Sequence, residues 1–162
     1  MKKLKVYLDT SIVSHLDAPD VPDKEADTKR LWDRIKAGEF EAFISPVVIA
    51  EVDRCDEPKR SFMREELRST PHTFLEETEE VRDLADRYIA ADILRAKNLN
   101  DSQHVAYACV YNCDMVISWN FTHLVNYKTI AGVKSVNAMA GYKEMPIYPP
   151  SMFKEGDKED EL

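Results

Sequence analysis

A chain of 162 residues with 44% apolar side chains suits one domain with a real core, because a chain of this size buries roughly 70% of the surface its unfolded form exposes. It has only four glycines, no Gly/Ser-rich run, no repeat, no apolar stretch near the ~18 residues of a membrane span, and no apolar signal core in MKKLKVYLDTS. The net charge of -8 argues against broad, nonspecific nucleic-acid binding, which depends on neutralising many phosphates. A soluble, cytoplasmic protein with no membrane partner is therefore expected. The odd set Cys55, Cys109 and Cys113 suits a reducing compartment. Cys109 and Cys113, four apart on one helix face, could share a metal, but buried small side chains are the simpler reading.

Leu4 to Leu8 alternates as a strand and ends at Asp9-Thr10-Ser11, after which Ile12, Val13 and Leu16 suggest a short helix. Asp23 is positioned to cap a second helix over about 24–37, with Leu31, Trp32 and Ile35 inward and Gly38 as its stop. Phe40 to Ile44 reads as a strand, and Ser45-Pro46 then caps an unusually apolar helix whose one interior acid is Glu51. Burying that carboxylate would cost several kcal/mol unless it is paired or holds a cation. An exposed helix edge, or a basic partner, is the plain alternative.

From Pro58 to Ser69 a charged helix carries Arg60, Arg64 and Arg68 as one stripe, with Glu57, Glu65 and Glu66 interleaved. The stripe reads as a solvated, salt-bridged face. A short strand at 73–75 and an amphipathic helix from Thr78 to about Leu94 follow. Asp101 then opens a helix with Val105, Ala108 and Cys109 at helical spacing, and Met115 to Ile117 is a central strand leading into Ser118, Trp119, Asn120 and His123. Thr129 to Gly141 is a last helix, and Met145 to Tyr148 an edge strand.

Strands alternating with helices at this length predict an α/β fold: a three-layer α/β/α sandwich around a mostly parallel sheet. The globular part is expected over 1–150, and 151–162 as an acidic, disordered tail, since five acids against two lysines fall between Lys154 and Leu162.

Asp9, Glu51, Asp101 and Asn120 can all reach the carboxyl edge of such a sheet. Three acids and an amide oxygen make a hard oxygen site for Mg²⁺ or Mn²⁺ and a poor one for zinc. Each acid also has a local reading, and for Asp101 that reading is a helix cap. His104 lies one turn after Asp101, where it could position substrate or a ligand or be a structural histidine. His123 is a second candidate for substrate contact, while Trp119 reads as a packing anchor.

On these residues the sequence resembles the PIN-domain family. Val6-Tyr7-Leu8-Asp9-Thr10-Ser11 is similar to its opening motif, Glu51 in VVIAEV to its second acid, Asp101 in DSQHVAYA to its third, and MVISWNFTHLVN to a fourth motif seen in relatives of the toxins of VapBC toxin-antitoxin pairs. The resemblance implies a metal-dependent endoribonuclease, the toxin of a type II pair, with RNA as substrate, a homodimeric state and a protein antitoxin. It also implies that Asp9, Glu51 and Asp101 are ligands, directly or through water, that Thr10 orients a ligand or water, and that the Arg60, Arg64 and Arg68 stripe is a candidate surface for RNA phosphates. Asn120 stands where many members of that family have aspartate, which predicts one resident ion and leaves open a nuclease-inactive binding module with a protein or RNA partner. A phosphatase with Asp9 as nucleophile would want a second aspartate where Ser11 stands.

Overall fold

The computed structural model describes residues 2–153. Five strands, β1 (Leu4–Leu8), β2 (Phe40–Ile44), β3 (Thr73–Phe74), β4 (Met115–Ile117) and β5 (Ile147–Tyr148), form an all-parallel sheet in the order β3-β2-β1-β4-β5. The period-2 alternation of the strands sorts the core into two layers. Tyr7, Phe43, Val116 and Ile147 face one side, and Val6, Leu8, Ala42, Ile44, Met115 and Ile117 the other.

The helices α5 (Glu79–Ala90), α6 (Leu99–Val110) and α7 (Tyr127–Ala140) cover the first face. The second is covered by α1 (Thr10–Ser14), α2 (Pro22–Lys36) and α4 (Lys59–Arg68). Between the layers α3 (Pro46–Asp53) contributes Val47 to the first core and Val48 and Val52 to the second. The expected three-layer α/β/α sandwich is therefore present. The sheet is wholly parallel, as befits strands buried on both faces.

Local chemistry explains most boundaries. Ser45 caps α3 ahead of Pro46, Thr78 caps α5 at Val81, and Asn126 caps α7 at Thr129. Gly141 ends α7 in the left-handed region, with φ 88°. Gly132 serves a different purpose: a Cβ there would lie 2.6 Å from Cγ1 of Ile93, so the glycine lets α7 approach the chain that leaves α5.

Two predicted caps move inward. Pro22 occupies the first position of α2, leaving Asp23 within its first turn, and Leu99 opens α6, so that Asp101 lies in the first turn rather than before it. Ahead of it a 3-10 turn, Ala96–Asn98, runs into α6. At the other end a 3-10 turn, Pro150–Phe153, docks on α2: the Phe153 carbonyl accepts from Arg34 and its ring meets Phe40 edge-on. The boundary drawn at 150 falls inside this turn, and the acidic segment 154–162 lies outside the described residues. Among the described residues, no helix is long and apolar enough to cross a membrane.

Candidate active site

The strand order reverses between β1 and β4, because the chain first builds outward through β2 and β3 and later returns to the far side of β1. Side chains at the carboxyl ends of β1 and β4 face that crevice, the usual ligand position in open parallel sheets. Asp9 follows β1, and Ser118, Trp119 and Asn120 follow β4.

Asp9 is only 5% exposed and is fastened by two serines. Its Oδ1 accepts from the Ser11 amide at 3.1 Å and the Ser11 hydroxyl at 2.5 Å, while Oδ2 accepts from the Ser118 hydroxyl at 2.5 Å. The same serines tie the two strand ends together: Ser11 Oγ accepts from the Trp119 amide, and Ser118 Oγ from the Asn120 amide. Burial pushes the Asp9 carboxyl above its usual range; His104 and the serine hydroxyls oppose this, and the Glu51 charge adds to it.

Glu51 turns inward to a set of donors. Its Oε1 accepts from Thr10 Oγ1 at 2.6 Å and His104 Nε2 at 2.8 Å, and its Oε2 from Asn100 at 3.3 Å. Burial raises this acid, but the hydrogen bond and charge of His104, with help from Thr10 and Asn100, outweigh it and hold Glu51 below the usual carboxylate range. Behind His104 the bonds continue, from Nδ1 to the Tyr7 hydroxyl at 2.7 Å and from there to Ser45 Oγ at 2.7 Å, which accepts from the Val47 amide. With Val47 donating to Ser45, the bonds run without a break from Glu51 through His104 and Tyr7 to Ser45. Tyr7 stays a neutral hydroxyl, because burial drives its pKa well above normal.

Asp101 completes the acidic corner from α6. Burial raises its pKa, His104 and His123 lower it, and Asp9 and Glu51 raise it further. Its Oδ1 takes a long hydrogen bond, 3.4 Å, from Asn120 Nδ2, and His123 Nδ1 lies 3.1 Å from its Oδ2. The amide of Asn120 is fixed in this orientation, because its Oδ1 accepts from the His123 backbone N–H at 2.9 Å and a backbone N–H can only donate. Asn120 thus presents N–H to Asp101 and organises the loop after β4, while its Oδ1 keeps a second lone pair for the ligand role expected of it.

The donor set has the chemistry of a hard-cation site. Asp9 Oδ2 and Glu51 Oε2 each accept one bond, so each keeps a free lone pair, and Asp101 is more open still. Two of these acids are burdened by burial and by neighbouring negative charge, a burden that a cation would reverse. Among the described residues no three His, Cys, Asp or Glu side chains stand together as a set of metal ligands.

The structure brings Asp9, Thr10, Glu51, Asp101, Asn120, His104 and His123 to one corner, but leaves Arg60, Arg64 and Arg68 outside it. Those arginines lie on α4 and hold Glu57, Asp53 and Glu65 respectively. Their stripe forms a salt-bridged face, one of the two expectations for it. Ser11, Ser118, Tyr7 and Asn100 also belong to the site; the serines and Tyr7 fall within motifs already singled out, whereas Asn100 lies just outside them. Trp119 is the packing anchor expected, buried, with its indole N–H donating to Thr28 Oγ1 at 2.7 Å. Burial pushes the Cys109 and Cys113 thiols up, Cys113 to about 12, and Cys109 is engaged by Tyr88 and Asn137, so both are inert core groups.

No protein-family model matches the chain, and no curated protein matches it in sequence. Among solved structures it is similar to VapC20 of Mycobacterium tuberculosis, described as a toxin that cleaves the sarcin-ricin loop, with TM-score 0.50 and 18% identity over 68% of this chain and 86% of that one. It is also similar to a chain of VapBC2 from Rickettsia felis, bound to a DNA fragment from their promoter, with TM-score 0.54 and 14% identity over 90% of this chain and 98% of that one. With the strand order and helix layers described above, these likenesses establish that the chain has a PIN-domain, VapC-like fold.

Proposed function

We propose that the protein is a Mg²⁺- or Mn²⁺-dependent endoribonuclease that hydrolyses RNA phosphodiester bonds, acting as the toxin of a type II toxin-antitoxin pair. The observation that carries this reading is the meeting of Asp9, Glu51 and Asp101, from three separate elements, at the crevice where the sheet reverses, with Asp9 and Asp101 both pushed up by burial and by neighbouring acids. Such an arrangement costs stability and has a purpose when it holds a cation.

Asp9, Glu51 and Asp101 would hold the ion, directly or through water. A divalent ion bound there supplies activation of a water and stabilisation of the charge that develops on the scissile phosphate. The chain's own residues set the geometry around it. Ser11 and Ser118 hold Asp9, Thr10 and His104 hold Glu51, and Asn120 steers Asp101. Three carboxylates balance one divalent ion but not two, so one resident ion is assigned, with any second arriving alongside phosphate.

The similarity to a sarcin-ricin-loop-cleaving toxin and to a VapBC complex supports RNA as substrate and an antitoxin protein as partner, and a homodimer in the cytoplasm belongs to the same reading. A second reading, a nuclease-inactive binding module, draws on Asn120, which donates to Asp101 where an acid would add charge.

Purified protein tests the choice. RNA cleavage in Mn²⁺ that is abolished by chelator and falls on the order of 10²–10³-fold in Asp9→Ala supports the enzyme, that loss being the scale for removing a preorganised stabilising group. Cleavage unaffected by Asp9→Ala overturns it. Cleavage absent from the natural chain but gained in Asn120→Asp favours the inactive module.

A further inference from the structure

Next to the acidic corner is a cavity of about 350 Å³ with the opposite character. Arg95 and Lys97 enter it from the turn before α6, Lys128 from the first turn of α7, and His123 from the loop after β4, over a floor that includes Ile93 and Leu94. His123 is common to both places, since its Nδ1 lies 3.1 Å from Asp101 Oδ2.

Arg30, Arg34, Arg60, Arg64, Arg68 and Arg82 each hold a carboxylate. The side chains of Arg95, Lys97 and Lys128 make no hydrogen bond or ion pair among the described residues, although the chain carries 30 acids against 22 lysines and arginines. Lys128 is also placed against local preference: the first turn of α7 contains no acid, and a cation at a helix N-terminus opposes the helix dipole. Three unpaired cations converging on one cavity repel one another until an anion enters. The volume suits a small ligand such as one nucleotide unit, with an apolar floor available to its sugar.

We propose that this cavity is a subsite for the backbone phosphate of a nucleotide flanking the one that is cut, so that single-stranded RNA reaches Asp101 by passing over His123. The inference deepens the ribonuclease reading and rests on it. Arg95, Lys97 and Lys128 bind and align the strand; the chemistry stays with the acids.

The test separates binding from cleavage. A fluorescent decauridylate is titrated in chelator, where no metal-dependent cleavage occurs, against the natural chain, the triple variant Arg95→Gln/Lys97→Gln/Lys128→Gln, and the control Arg60→Gln/Arg64→Gln/Arg68→Gln. All substituted side chains in the first triple are exposed, and a thermal melt verifies its fold. The subsite predicts binding weakened roughly 10- to 30-fold, with the salt slope reduced by about 1–2, in the first triple only. In Mn²⁺ the same triple should raise KM and leave kcat near that of the natural chain. Equal binding by the first triple and the natural chain overturns the subsite even if cleavage is intact. Weakened binding by that triple with no cleavage by any variant keeps the subsite and removes the nuclease. Displacement of decauridylate by polyglutamate at comparable phosphate and carboxylate concentrations would instead assign the cavity to an acidic peptide and overturn the RNA subsite.

Discussion

The two halves of the acidic corner are built to different standards. On the side of Asp9 and Glu51, short hydrogen bonds from Ser11, Ser118, Thr10 and His104 fix the carboxylates, and the donors stand on sheet ends or in the core, with His104 itself only 1% exposed. On the side of Asp101, the contacts are a 3.4 Å bond from Asn120 and a partly exposed imidazole, both from the loop after β4. The difference assigns rigidity to the inner half and adjustment to the outer half. An ion can be anchored at Asp9 and Glu51 while Asp101 and its loop respond to substrate.

The largest effect that would sharpen this contrast is expected at His104, a positioning residue. His104→Gln should weaken Mn²⁺ binding by about 10- to 100-fold, the usual scale for removing a group that orients a ligand, while His123→Gln should leave metal affinity nearly unchanged and raise KM for RNA. A calorimetric comparison of the two variants checks this, and equal losses would erase the distinction between halves.

The next effect is on stability without metal. Asp9 and Asp101 have raised pKa values in the folded chain, so the fold binds more protons than the unfolded chain across the window between their ordinary values and the raised ones. Their stabilising contribution is present below the unfolded pKa, near 4, and is lost as pH rises through the folded pKa. Glu51 runs the other way: its lowered pKa contributes stability above its ordinary value that is lost as pH falls through the folded one. In chelator, Asp9→Asn should therefore raise Tm at neutral pH, by roughly 2–4 °C if about 1 kcal/mol is recovered. It should also flatten the decline in stability as pH rises above the ordinary carboxylate range. Thermal melts at several pH values check this, and a lower Tm for Asp9→Asn at neutral pH would contradict the burial argument.

The smallest effect belongs to α4. Arg60, Arg64 and Arg68 sit in exposed ion pairs, each worth about 0–1 kcal/mol, so replacing all three with glutamine should lower stability only slightly, by denaturant titration.

Much of the fold was legible because it rests on local patterns. The alternation of Leu4–Leu8 and Phe40–Ile44, the apolar run Met115–Ile117 and the caps Ser45 and Thr78 each declare themselves within a few residues. The three acids were legible for a similar reason: each is polar at an element end or within an apolar helix. Orientation and pairing were not. Nothing in the local sequence fixes which atom Asn120 turns toward Asp101, because that depends on the His123 backbone. Nor does it reveal that Arg64 finds Asp53 on another helix, or that Arg95, Lys97 and Lys128 share a cavity across some thirty positions of chain. The bonds from Glu51 of α3 through His104 of α6 and Tyr7 of β1 return to Ser45, the cap of α3, so only the packed fold brings them together.

The central claim is that Asp9, Glu51 and Asp101 form one cation site. Calorimetric titration of the free protein with Mn²⁺, repeated on Asp9→Asn, tests it most directly. One tight site in the natural chain, lost in the variant, is the predicted result; two equally tight sites, or a single site that survives Asp9→Asn unchanged, would contradict it.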